Sequence, residues 1–253
     1  MSTENKCKFC HKKRKLVEAH IVPRSFFKHI RADDRQASRI YSTQSWIFPK
    51  KTQTGIYDDS ILCEHCERRF NPWDTYAAEF LIPEFGKDGF IYDDKGKGKG
   101  YVIEKYDYAK LKLFFLSVMW RASVSGNRYF RNIQLGLHES NIRQMLDSND
   151  PGHPDVYPIF LTRFIDEFGM YSMMDPYRDR LDNRNYNILN MAGYRAFIKT
   201  DKQDIPRLFA PLTLQPDRPL LIYTAEITDK AEFGLMKKMI HNASKQTRGR
   251  KIT

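Results

Sequence analysis

The stretch that decides the fold is "CKFCHKKRKLVEAHIVPRSFF", Cys7 to Phe27. It sets a C-x2-C-H ahead of four consecutive basic residues, then a lone histidine, His20, separated from Pro23 by two residues. Three chemistries fit such a string: a c-type haem attachment site, a zinc knuckle, or one half of a metal-dependent nuclease. The other cysteines weigh among them. The chain holds four, Cys7, Cys10, Cys63 and Cys66, arranged as two C-x2-C pairs with none left over. Haem attachment uses one pair, requires export and leaves the second pair unexplained; two redox motifs lack the βαβ context they need. Two thiolate pairs, by contrast, each supply two corners of a tetrahedral zinc site. The pairs stand 52 residues apart, beyond the common spacing of about 15–20. Closure entropy grows only as the logarithm of length, so tripling the loop costs about 1 kcal/mol. Zinc binding supplies about 10–16 kcal/mol, so the expectation is a four-cysteine structural zinc. His11 and His65, beside the cysteines, read as exposed knuckle residues.

Composition supports a folded protein: 253 residues, 41% hydrophobic and 13% aromatic, enough for one large domain or two small ones. The polar opening MSTENK and the lack of a long apolar run point away from a signal peptide or membrane span. The expected location is cytoplasmic, with no membrane partner. The formal charge of +11 is unevenly placed. Residues 1–40 carry eleven Lys and Arg against four acids, and residues 237–253 carry six with no acid. Positive charge concentrated beside candidate chemistry suits a polyanion such as nucleic acid. Lys12, Lys13, Arg14, Lys15 and Arg24 are the expected phosphate contacts.

Between the pairs, Leu16–His20 reads as a short strand and "PRSFFKHIRA" as a short helix opened by Pro23. "IYSTQSWIF" (40–48) and "IYDDSILC" (56–63) read as strands. In "CERRFNPWDTYAAEFLI", Asn71 and Pro72 have the form of a helix start, with Trp73, Tyr76, Ala77, Phe80 and Leu81 facing inward.

This order of pieces, Cys7–Cys10, then "AHIVP", then "DDSILC" and "CEHCE", resembles the zinc-bearing branch of the HNH endonucleases over about residues 5–82. The resemblance implies a ββα-metal fold holding one divalent ion, Mg or Mn, beside the scissile phosphate. It assigns the general base to His20 and the orienting position to Asp58, with Asp59 adjacent. A base titrating near neutrality and a cation offsetting phosphate charge are what phosphodiester hydrolysis needs. Two positions depart from the pattern. Ala19 stands where the family has a metal ligand. Glu67 stands where it has a metal-binding histidine, although a glutamate can hold a hard ion. Glu18 shares the strand face of His20 by alternation.

Beyond residue 85, "GFIYDD", "KGKGKG" and "YVIEKYD" form a hairpin pattern with a lysine-rich, solvated tip. Tyr108–Ser125 is a buried helix in which Trp120 is core and Arg121 surface. Leu137–Ser148 is amphipathic, with Ile142, Met145 and Leu146 inward. "VYPIFLTRFI", "YNILNMAGYRAFIK", "RLFAPLTL" and "PLLIYTAEI" read as strands, and residues 229–245 as a closing helix. No P-loop, GxGxxG or serine-nucleophile motif is present.

The fold class expected is α+β. A zinc-clamped ββα (HNH-like) module spans 1–85, an α+β domain with a mainly antiparallel sheet spans 86–245, and a basic tail follows at 246–253. The expected function is metal-dependent cleavage of nucleic acid, DNA foremost, with the C-terminal domain positioning substrate or a protein partner. Compact nucleases of phage defence or mobile elements share this layout by analogy. The alternative is a non-catalytic zinc module that binds nucleic acid, which Ala19 and Glu67 would account for. A purely structural scaffold is the third reading.

Overall fold

A computed structural model describes residues 6–29, 38–42, 47, 50–52, 54–83, 89–92, 94–96, 98–164 and 173–225. The chain opens with β1 (Leu16–His20), and Pro23 then leads into α1 (Arg24–His29). Next come β2 (Ser38–Tyr41), β3 (Lys50–Thr52) and β4 (Tyr57–Cys63), followed without a loop by α2 (Glu64–Leu81). The hairpin β5 (Phe90–Tyr92) and β6 (Gly98–Ile103) precedes α3 (Tyr108–Val124) and α4 (His138–Ser148). Five strands close the described chain: β7 (Ile159–Phe164), β8 (Met173–Leu181), β9 (Arg184–Met191), β10 (Tyr194–Lys199) and β11 (Leu220–Ala225).

The strands form two sheets. β1 and β4 make a two-stranded antiparallel sheet, and the other nine run β3-β2-β8-β9-β10-β7-β11-β6-β5. Only β2–β8 and β7–β11 pair in parallel; the remaining pairs are antiparallel. The architecture is therefore α+β with a mainly antiparallel sheet and few helices. β2 and β3 precede residue 85 in sequence yet belong to the large sheet. One buried cluster likewise extends from Cys7 to Ile222.

α3 lies at the heart of that cluster. Thirteen of its 17 residues are buried, as expected of a helix apolar on all sides. Asp107 caps it by accepting the Lys110 N–H at 2.9 Å. α2 packs on it through Phe70, Trp73, Ala77 and Leu81. α4 buries Ile142 and Leu146. No helix among the described residues is long and apolar enough to cross a membrane.

Several local expectations need correction. α2 starts at Glu64, with Cys63 as its N-cap, and Pro72 lies inside the helix. Pro72 is exposed, so water can satisfy the Arg68 carbonyl left without a donor because proline has no backbone N–H. The single segment "YNILNMAGYRAFIK" is a hairpin, turned at Ala192 (φ 47°) and Gly193 (φ 82°). "RLFAPLTL" is no strand. Ala210–Leu212, with Pro211 at its centre, is a 3-10 turn, and the segment joins the sheet's ladder only through the isolated bridge Phe160–Thr213. β8, "MMDPYRDRL", was not expected as a strand; its register shifts between Met174 and Tyr177, around Pro176. The expected closing helix and basic tail lie outside the described residues.

Candidate metal centre and the polar cluster beside it

The first cysteine pair sits on a tight turn. The His11 N–H donates to the Cys7 carbonyl at 2.9 Å, and the Cys7 N–H donates to the Lys12 carbonyl at 3.0 Å. His11 closes the turn in the left-handed region, at φ 59°. The second pair straddles the β4–α2 junction, with Cys63 at the N-cap and Cys66 in the first helical turn. Two bonds dock the pairs: Lys8 N–H to the Ile61 carbonyl at 2.9 Å, and Cys63 N–H to Cys7 Sγ at 3.4 Å.

All four sulfurs lie within 4.8 Å of one another, and Cys10 Sγ stands 4.0 Å from Cys63 Sγ. Tetrahedral zinc with bonds of about 2.3 Å sets its sulfurs about 3.8 Å apart. The four cysteines are thus positioned to bind a metal, and the site is of zinc type. Hydrogen bonding from the Cys66 thiol, joined by backbone amides and opposed by burial, draws the Cys7 thiol down to about 4. Cys66 is pushed up by the same shared proton and by burial. His11 and His65 are exposed and outside the group. Among the described residues, no other set of three metal-ligating side chains converges.

A second cluster lies where β1 ends against α2 and α3, and its centre is Arg121. This side chain is fully buried, which corrects the expectation of a surface arginine; Trp120 is buried too, so neither is placed to stack on nucleic acid. Arg121 uses all five of its N–H groups. Nη1 donates to the His20 carbonyl at 2.8 Å and Asp74 Oδ2 at 2.9 Å. Nη2 donates to Asp74 Oδ1 at 2.7 Å and Ser117 Oγ at 3.1 Å, and Nε to the Ser117 carbonyl at 3.3 Å. The guanidinium also lies 5.3 Å from the Phe70 ring centroid.

His20 ends β1 with its ring half-buried and Nε2 buried without a hydrogen-bond partner. Burial lowers its pKa, as do the charges of Arg121 and Arg24, against hydrogen bonding to Thr54 and the charge of Glu18. The imidazole is therefore neutral at physiological pH. Glu67, in the first turn of α2, also holds a buried oxygen, Oε2, without a partner. Burial raises its carboxyl, Arg121 draws it back, Asp74 raises it further, and hydrogen bonding to the His20 backbone lowers it. That last interaction places Glu67 beside His20. Burial likewise raises Asp74, against the Arg121 charge and hydrogen bonds.

Asp58 faces away from this cluster. Its Oδ1 accepts the Ser60 N–H at 2.9 Å and the Ser60 hydroxyl at 2.5 Å. Its Oδ2 accepts the Ser125 hydroxyl at 2.6 Å and the Gly126 N–H at 2.9 Å. Burial pushes the carboxyl up, but the bonds from Ser125, Ser60 and Gly126 outweigh it and hold it below its ordinary value. These bonds brace the irregularity in the β1–β4 ladder between Val17 and Ala19, as bulges beside functional sites commonly are braced. Asp58 thus orders backbone next to His20 and makes no hydrogen bond to its ring. Ala19 is fully buried, while Glu18 and Asp59 are exposed.

Of the basic residues, Lys12, Lys13, Lys15 and Arg24 are exposed and Arg14 is half-buried. The sequence reading placed Arg121 at the surface and did not pair it with Asp74. A signal was available: an arginine inside an all-apolar helix must find a buried partner, and Asp74 shares a helix face with Glu67 seven residues earlier. No protein-family model, curated protein or solved structure matches this chain.

Proposed function

We propose that the chain is an HNH-like endonuclease, in which zinc on four thiolates clamps a ββα unit that hydrolyses phosphodiester bonds in nucleic acid, DNA foremost. One observation carries the proposal: His20 Nε2 and Glu67 Oε2 are both buried and both unpartnered within one cluster. Each such atom costs about 1–3 kcal/mol unless something bonds it, and unpaired groups of this kind attend catalytic and ligand sites. Both are acceptors when His20 is neutral and Glu67 ionised. A water molecule has two O–H groups to offer them.

In this reading the water oxygen attacks phosphorus and its proton passes to His20 Nε2, which burial and two guanidinium charges keep free to accept it. The phosphorus–oxygen ester bond breaks, and the leaving oxygen is protonated from solvent. Asp58 and Asp74 are committed to other partners, so Glu67 is the carboxylate left to hold Mg or Mn. One or two protein carboxylates completed by substrate phosphate and water is an ordinary Mg site. Such an ion supplies charge compensation at the phosphate oxygens. Lys12, Lys13, Arg14, Lys15 and Arg24 supply the salt-sensitive grip on the backbone.

The test is nicking of supercoiled plasmid in Mg or Mn. His20→Ala is expected to slow it by about 100-fold or more; unchanged nicking in that variant sinks the assignment. A non-catalytic nucleic-acid binder is the second reading, favoured by the engagement of Asp58 and Asp74 elsewhere and by the apolar, buried Ala19. It predicts salt-sensitive binding with no cleavage in any divalent ion.

A further inference from the structure

Tyr57, on β4, is an aromatic side chain left in the open. Phe9, Phe26, Phe27, Phe70 and Trp73 are at most 4% exposed, whereas Tyr57 is 44% exposed. It is also the cross-strand partner of His20. Directly opposed residues of an antiparallel pair project from the same face, and the two ring centroids stand 6.2 Å apart at an interplanar angle of 58°. The phenol therefore flanks the imidazole and keeps a face free.

The backbone beneath Tyr57 is fixed on both sides. Before it, the chain turns at Gly55, whose φ of 98° and position against the Phe27 ring leave no room for a Cβ. Thr52 Oγ1 accepts the Gly55 N–H at 2.9 Å. After it, Asp58 is anchored to Ser60, Ser125 and Gly126. Arg24 is exposed at the start of α1, close enough for its charge to act on His20. A flat ring on a rigid strand end, with an imidazole beside it and a guanidinium nearby, matches one base, one scissile phosphate and one neighbouring phosphate.

We propose that Tyr57 is a stacking platform for a nucleobase next to the bond under attack, so that the site takes unpaired, single-stranded nucleic acid. The proposal rests on the nucleic-acid reading above and narrows its substrate. A base inside a duplex has both faces covered by its neighbours. An unpaired base can lay one face on the ring, and such stacking is sequence-tolerant because every base has a π-face.

The test uses the zinc-loaded full chain without added Mg or Mn, and fluorescence anisotropy with a labelled single-stranded oligonucleotide and the duplex of the same sequence. Tyr57→Ala is expected to weaken single-strand binding by about 5- to 150-fold, the equivalent of one lost stack. Duplex binding and the salt slope stay unchanged, and Tyr57→Phe binds as the parent does. Equal single-strand affinity in Tyr57→Ala and parent overturns the platform, as does equal weakening on both ligands. If neither oligonucleotide binds at low salt, the nucleic-acid reading falls and the platform with it. If single-strand binding depends on Tyr57 while neither plasmid nor the single-stranded oligonucleotide is cut in Mg or Mn, the platform stands and hydrolysis falls.

Discussion

The two sheets of this molecule hold together by opposite means. The β1–β4 pair has two strands, too few to be stable alone, and is fixed by point attachments at its ends. Four sulfurs close it where β4 meets α2, and Arg121, Asp74 and Asp58 tie its other end to α3. The nine-stranded sheet relies on continuous ladders and stacked aromatic rings: Phe160 lies 4.5 Å from Phe197 and 5.3 Å from Phe209 by centroid. Attachment at a few points fails all at once when one point is removed. A ladder loses stability in small increments. Both regions keep buried polar atoms without a partner, His20 Nε2 and Glu67 Oε2 beside the small sheet and those of Tyr186, Asn187 and Asn190 in the large one. What sets the first apart is that its two lie beside one another next to a buried arginine.

The largest test of that contrast is Cys66→Ser. Zinc on such a site provides about 10–16 kcal/mol in apparent binding, so loss of one thiolate is expected to abolish retention of metal and hydrogen-exchange protection across β1 and β4. Protection in β7, β9 and β10 should persist. Simultaneous loss there would break the contrast and make the molecule a single cooperative unit.

Next comes Arg121→Met, which leaves the Asp74 carboxylate buried and uncompensated, at a cost of about 3–5 kcal/mol. Pairing it with Asp74→Leu should recover most of that loss in denaturant melts. A double variant no better than the single one would mean that the His20 carbonyl is the attachment that matters. The smallest effect is expected at Asp58. Its folded-state pKa is depressed, so its stabilisation is complete above the ordinary carboxylate value of about 4 and disappears as pH falls through the folded value. Asp58→Asn should lower stability by about 1–2 kcal/mol at pH 7, with the gap to the parent closing below about pH 4.

Much of the point-held region was legible because its signals are local. Cysteine spacing marked the sulfur cluster, and β1, α1, β4, α3 and α4 follow short patterns bounded by Pro, Asp or polar residues. The start of α2 was not legible. Asn71-Pro72 carries every local mark of a helix N-terminus, yet the helix begins where the second cysteine pair is held, one pair of turns earlier. β8 was hidden because Pro176 and its charged residues deny the alternation of a strand, and the register shift that accommodates the proline is a tertiary adjustment. The Arg121–Asp74 pair joins residues 47 positions apart, a distance at which nothing in a local window announces a partner. Asp58 was singled out for catalysis, and two of its four hydrogen bonds come from Ser125 and Gly126 at the end of α3, which a local pattern does not bring near.

That dependence on α3 bears on portability. A fragment ending before Tyr108 would carry the cysteines, His20 and Glu67, but would lack the Arg121 guanidinium and the Ser125 and Gly126 donors to Asp58. Transplanting the ββα segment into another scaffold therefore requires grafting the second half of α3 along with it. In this protein the cysteine-clamped segment is not a detachable cassette.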